Sequence, residues 1–320
     1  MMKLGSVEDL RLMSKVGKLY YEQGFTQDEI VNLLHLSRSK ISRLLHQARE
    51  NGIVKIAVFP PPGIYSDWEM QLENRFGLKE VIIVENDHLD SAEEVANVLG
   101  SAAAFYLKRI VLDGNVIGVA WGNTLSAMVA ALLPHQLPQC KIVQIIGGLG
   151  KPESEQHATE LCRQMARLLA CDLILLPAPG IVNSHPSRDV LLSDIYVQRA
   201  FSLFSNIDVA FVGIGAPTPD SVVIRGGSII KPFELQDLLS RGVVGDIALR
   251  YFDCNGQPVN SEIDDRVIGI RFDQLGRVKR VVGVAGGKNK RTAILGALRG
   301  GLINVLITDH GTAKYILECA

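Results

Sequence analysis

Seven short β-branched runs, separated by helical stretches and glycine turns, constrain this chain more than any other feature of its 320 residues. They fall at 81–84, 116–120, 142–146, 173–176, 209–212, 281–284 and 305–307. Continuous apolar runs of this length suit strands covered on both faces, as in a parallel sheet. Helical periodicity occupies 92–110, 124–133, 155–169 and 289–298 between them. Strand–helix alternation of this kind predicts a doubly wound, Rossmann-like α/β domain.

Ligands of such sheets bind beyond the carboxyl ends of the strands, so the loops there hold the candidate binding residues. Five of them are glycine-bearing: Trp121-Gly122-Asn123-Thr124, Gly147-Gly148-Leu149-Gly150, Pro177-Ala178-Pro179-Gly180, Gly213-Ile214-Gly215 and Gly286-Gly287-Lys288-Asn289-Lys290. A tight strand-to-helix turn uses glycine without any ligand; five at the same kind of strand end point to a site. Gly122, Asn123 and Thr124 open a helix, where backbone amides and a hydroxyl can cradle an anion. Lysine in the last loop adds a full charge suited to phosphate. None of the loops is GxGxxG with an acidic residue at the right distance, or GxxxxGK followed by Ser or Thr. Dinucleotide and P-loop nucleotide binding are thereby disfavoured, and a small phosphorylated ligand is expected.

The first 58 residues form a different pattern. Leu10, Met13, Val16, Leu19 and Tyr20 lie on one helical face, and Gly24 ends it. Thr26-Gln27-Asp28-Glu29 is a capping box, followed by Ile30, Leu33 and Leu34 on an inner face. Ser37 caps a third helix from Arg38 to Glu50, with Ile41, Leu44, Leu45 and Ala48 inward. A tight turn between the last two helices matches the helix-turn-helix plan, whose final helix enters the major groove. Ser37, Arg38, Ser39, Lys40, Ser42 and Arg43, with His46, then face outward as donors for phosphates and base edges. Residues 53–58 alternate and predict a strand, a wing with Lys55 toward DNA. A basic helix face is ordinarily just solvated, and three helices also serve dimerisation. Capping box, turn length and basic face together favour DNA.

Charge follows the same division. Residues 1–60 carry a net +3 and the remainder −4, within a total of −1. A basic head on a mildly acidic body suits a module that meets a polyanion. Phe59-Pro60-Pro61-Pro62-Gly63 is a stiff linker, giving domains at 1–58 and 64–320 with a linker at 59–63.

Other classes find little support. The five cysteines (Cys140, Cys162, Cys171, Cys254, Cys319) are scattered and never spaced CxxC, as expected of reduced thiols in a cytoplasmic protein. No apolar run approaches the roughly 20 residues of a membrane span, and the N-terminus lacks a signal-peptide h-region. The seven histidines show no metal-ligand spacing, so no metal or other cofactor is expected. There is no GxSxG elbow. Asp246 and Asp309 sit near likely loop positions. The first suits ligand hydroxyls or proton abstraction, and the second suits a helix N-cap.

The order and spacing of LYYEQGFTQDEIVNLLHLSRSKISRLL, GVAWGNTL, VQIIGGLG, LPAPGIV, DVAFVGIGA, GVVGDIALRYFDCNG, VAGGKNKRTAILGALRGG and VLITD resemble the SorC family of bacterial transcriptional regulators across essentially the whole chain. The resemblance implies an N-terminal helix-turn-helix domain and an effector domain similar to glucosamine-6-phosphate isomerases. It also implies a homotetramer that binds operator DNA under control of a phosphorylated sugar. It carries the phosphate loop onto Gly122, Asn123 and Thr124, a lysine onto Lys290, a hydroxyl-binding carboxylate onto Asp246 and an arginine onto Arg225. Pro179 joins the effector set from its own loop. The chain departs from the family pattern at Gly227-Ser228 and at Lys288. Two other readings stay open here: a sugar-phosphate isomerase with an appended head, and a body that serves assembly alone.

Overall fold

The computed structural model describes residues 7–56, 61, 63–85, 91–148, 152–218 and 230–319, with backbone only over 152–158. The chain divides into two units, Met1–Pro60 and Pro61–Ala320. Arg225, Gly227, Ser228, Leu149, Gly150 and most of the proline linker lie outside the described residues.

In the first unit, α1 (Val7–Gly17) runs into a π-helical turn, Lys18–Glu22. It is followed by α2 (Gln27–Leu34) and α3 (Arg38–Glu50). Gly24, at φ 73°, reverses the chain. The Thr26 hydroxyl accepts from the Glu29 amide (3.3 Å), and the Glu29 carboxylate accepts from the Thr26 amide (2.8 Å). Ser37 caps α3 through the Lys40 amide (3.3 Å). Met13, Val16, Leu19, Ile30, Ile41, Leu44, Leu45 and Ala48 form one small core.

Two expectations for this unit fail. Leu33 is 52% exposed, because the buried stripe of this eight-residue helix runs through Ile30 and Leu34, one turn apart. Residues 53–56 form no strand. The Val54 amide instead donates back to the Ala48 carbonyl (3.0 Å), closing the end of α3. No other described strand in the unit offers them a ladder, and an alternating pattern without a partner cannot hold an extended chain. Ala57 and Val58 lie outside the described residues.

The second unit runs α4 (Ser66–Phe76), β1 (Glu80–Val84), α5 (Ala92–Ile110), β2 (Val116–Val119), α6 (Asn123–Ala131), β3 (Lys141–Gln144), α7 (Pro152–Leu169) and β4 (Asp172–Ile174). It continues through α8 (His185–Leu192), α9 (Ile195–Ser202), β5 (Val209–Val212), α10 (Pro232–Ser240), β6 (Val243–Ile247) and β7 (Arg250–Asp253). It closes with α11 (Phe272–Leu275), β8 (Arg280–Val284), α12 (Arg291–Arg299), β9 (Val305–Asp309) and α13 (His310–Cys319). Seven strands form one sheet in the order β1-β9-β8-β5-β2-β3-β4, and every pairing in it is parallel. All residues of β5 and β9 are buried, so both faces of the sheet are covered, as the continuous apolar runs predict.

Connections from β2 step outward through β3 to β4, whereas β5 returns to the other side of β2. The strand order therefore reverses between β2 and β5, the kind of position where open α/β sheets form a crevice. At the far edge, β1 pairs only with β9. Its outward amides at Val81 and Ile83 donate to Glu73 and Glu69 of α4, each at 2.9 Å. That contact blunts a sheet edge that would otherwise recruit another strand. No helix among the described residues is long and apolar enough to cross a membrane.

Candidate functional site

The loops after three adjacent strands, β2, β5 and β8, and the β6–β7 hairpin that bridges to the loop after β5, carry most of the candidate residues. After β2 the chain turns at Gly122, whose φ of 143° and ψ of 164° favour glycine. A β-carbon there would meet nothing within 4 Å, so backbone conformation, not crowding, sets the residue. No side chain caps α6 at this end, which leaves first-turn amides to an outside acceptor. Asn123 is exposed and Thr124 buried. The Thr124 hydroxyl donates to the Val284 carbonyl at the end of β8 (3.0 Å). It thus ties the start of α6 to the neighbouring loop, and the donors left for an anion are backbone amides.

After β5, Gly215 meets Asp246 of β6. Their backbones exchange hydrogen bonds of 2.9 and 3.1 Å. Asp246 rides on the antiparallel β6–β7 hairpin, which sequence periodicity does not reveal. Gly245 and Gly296 let that hairpin lie close on α12, since β-carbons there would fall 2.7 Å from Ala293 and 3.1 Å from Val244. Its two-residue turn, Ala248-Leu249, has φ 52° and 62°, the sign that type I′ turns demand and that glycine or asparagine usually supplies. The Leu249 amide donates to Asp246 Oδ2 (3.2 Å), so the carboxylate also holds its own turn.

After β8, Gly287 (φ 93°) leads through a short 3₁₀ turn, Lys288–Lys290, into α12. The Gly287 amide donates to Asp309 Oδ2 (2.7 Å). Asp309 also accepts from the Thr312 amide (2.9 Å) and hydroxyl (2.6 Å). It is the N-cap of α13 and the anchor of the lysine loop. Lys288 and Asn289 are exposed, and Lys290 is half-buried.

The electrostatics join two of these loops. Burial pushes the Asp246 carboxyl up to about 6, opposed by the Leu249 amide and the Lys290 charge. Burial lowers the Lys290 ammonium, and Asp246 opposes that shift. The acid and the base share one desolvated space, so an anionic, hydroxylated ligand can meet both.

Pro179 lies farther along the sheet, after β4. It bridges to Gly148, and a β-carbon on Gly147 would sit 2.6 Å from its carbonyl carbon. The indole of Trp121 donates to the Gly147 carbonyl (3.0 Å), which links Pro179 to the Gly122 loop through one intermediate. Arg225 falls outside the described residues. A separate cavity of about 320 Å³, lined by Arg188, Phe201, Arg250 and Arg271 among others, contains none of the candidates. Arg250 there is committed to Asp264 (2.7 Å) and surrounding carbonyls. Among the described residues, no group of three or more His, Cys, Asp or Glu is placed to hold a metal.

On the first unit, Ser37, Arg38, Ser39, Lys40, Ser42, Arg43 and His46 are all exposed on or at α3. Arg38 lies 3.6 Å from Asp28 and His46 lies 3.3 Å from Glu50. Both pairs are open to solvent and weak.

Residues 63–318 match the family described as "Putative sugar-binding domain". The chain is 35% identical over 317 residues to the sorbitol operon regulator of Klebsiella pneumoniae, covering 97% of this chain and 99% of that protein. It belongs to the SorC family of transcriptional regulators. The crystal structure of the full-length sorbitol operon regulator SorC from Klebsiella pneumoniae aligns with a TM-score of 0.75 at 33% identity, over 98% of this chain and 100% of that one. The deoxyribonucleoside regulator of Bacillus subtilis (strain 168) is 30% identical over 311 residues, covering 97% and 98% of the two chains. Named relatives of this SorC-family chain are regulators, which removes the isomerase reading.

Proposed function

We propose that this SorC-family protein regulates a carbohydrate-utilisation operon in the cytoplasm. In this reading the first unit is a helix-turn-helix head on operator DNA, and a small phosphorylated sugar in the second unit controls it. One observation carries the effector reading. The uncapped start of α6 after β2, the half-buried Lys290 after β8 and the desolvated Asp246, whose hairpin bridges to Gly215 after β5, gather at the ends of three adjacent strands beside the point where the strand order reverses. A phosphate suits the α6 amides and Lys290. Sugar hydroxyls suit Asp246, which accepts hydrogen bonds when ionised. Pro179 and Arg225 complete the proposed effector set.

The exposed donors of α3, from Ser37 to Arg43, suit phosphates and base edges in the major groove. A homotetramer presents heads in pairs. Paired heads must match half-sites one helical turn or a multiple apart. An effector that binds one arrangement better shifts the population toward it, and the same loops serve a repressor or an activator.

Isothermal titration of the full chain with sugar phosphates, on wild type and Lys290→Ala, tests the effector site. The reading expects at least one sugar phosphate to bind wild type and to lose about tenfold or more in the variant. A body that binds none of them serves assembly alone.

A further inference from the structure

Tyr251 of β7 is the register partner of Asp246 across the β6–β7 hairpin. Directly opposed residues in an antiparallel pair project from the same face with neighbouring β-carbons. Tyr251 is 3% exposed, and its hydroxyl has no hydrogen-bond partner among the described residues. A buried hydroxyl left unpaired opposes folding, and such groups point to a strained, functional or externally completed position. Thr124 is committed to Val284, and Asp309 to Gly287 and Thr312. Arg291 Nε and Thr308 Oγ1 are also buried without a hydrogen-bond partner among the described residues, but of these groups Tyr251 alone is paired in register with Asp246, the carboxylate that the effector reading already uses.

The chemistry of its surroundings narrows what completes it. Burial, then Asp246, then Glu234 push the phenol well above its ordinary range, so it stays neutral and can donate. Two carboxylates nearby disfavour a phosphate at this end. A hydroxyl fits, because it can accept from the phenol while donating to Asp246.

We propose that Tyr251 is a specificity-determining residue of the effector site, hydrogen-bonding a sugar hydroxyl that Asp246 also engages. The site then selects phosphates bearing a hydroxyl that reaches the Asp246–Tyr251 pair. This inference rests on the effector reading above.

The test is Tyr251→Phe in the full chain, titrated with inorganic phosphate, sorbitol 6-phosphate, glucose 6-phosphate, ribose 5-phosphate and 2-deoxyribose 5-phosphate. Without ligand, the variant should unfold at the same or a higher temperature, because an unpaired hydroxyl has been removed. Phosphate affinity should match wild type. Affinity for the hydroxylated probe that wild type binds best should fall about tenfold. A lower unfolding temperature without ligand overturns the proposal, because the hydroxyl then has a partner inside the fold. Unchanged affinity for every sugar phosphate also overturns it. Lys290→Ala separates the two readings. Loss of binding in Lys290→Ala with none in Tyr251→Phe sinks Tyr251 alone. Wild type that ignores every probe sinks the effector reading and this inference with it.

Discussion

Gly215 and Asp246 pack so closely that a β-carbon on the glycine would lie 2.0 Å from Asp246 Oδ1. The carboxylate is positioned by the absence of a side chain on the neighbouring strand end. Gly215→Ala should therefore push Asp246 out of place and destabilise the unit by about 1–3 kcal/mol. Sugar-phosphate affinity should fall at least about tenfold, with operator binding retained. Calorimetric titration beside an operator-binding assay checks both arms; unchanged affinity would place the ligand elsewhere.

Asp246 should also give the unliganded protein a pH-dependent weakness. Its ordinary value of 3.8 is raised to about 6, so the folded state disfavours the ionised form. This residue favours the fold most below pH 4, and that contribution is lost as pH rises through about 6. Asp246→Asn removes the penalty while keeping an acceptor for the Leu249 amide. The variant should match wild type near pH 4 and exceed it at pH 7.5 by on the order of 2 kcal/mol, after discounting for its partial exposure. Denaturation curves across that range decide it, and a gap independent of pH contradicts the assignment.

The hairpin turn that carries Asp246 holds two non-glycine residues at positive φ, Ala248 and Leu249. Left-handed backbone costs an L-residue about 1–2 kcal/mol, and glycine gives part of that back in chain entropy. Ala248→Gly should therefore stabilise the protein by about 0.5 kcal/mol, a rise of about 1–2 °C in Tm. A fall in Tm would show that the turn is relaxed in its native sequence.

On the head, Arg43 is exposed on α3 and, in the DNA-binding reading, neutralises a phosphate or reads a base edge. Arg43→Ala should weaken operator binding and lower the slope of log K against log salt by about 1. Anisotropy titrations at several salt concentrations measure both, and identical curves would remove Arg43 from the interface.

The sheet is legible in the sequence because its inner strands, β5 and β9 above all, are buried on both faces and therefore written as unbroken apolar runs. The β6–β7 hairpin is not, because Ala248-Leu249 stands where a turn signal such as Asn-Gly would announce it. Asp246 is reachable from its sequence neighbourhood, yet its strand, its turn and the orphaned hydroxyl of Tyr251 are not. α4 escapes notice for a related reason. Its Glu69 and Glu73 act on β1 amides 14 and 8 residues away, a relationship that local periodicity does not carry. The opposite error occurs at residues 53–56, where apolar alternation suggests a strand that has no partner to pair with.

In the proposed function, a sugar phosphate held by Lys290 and Asp246 controls DNA binding by the head. Fluorescence anisotropy on the DNA upstream of the protein's own operon tests it most directly, titrated with the sugar-phosphate panel and repeated with Lys290→Ala. At least one sugar phosphate should change operator affinity in wild type, and the change should disappear in the variant while DNA binding persists. Tight operator binding that no sugar phosphate alters, or a response that Lys290→Ala leaves intact, would contradict it.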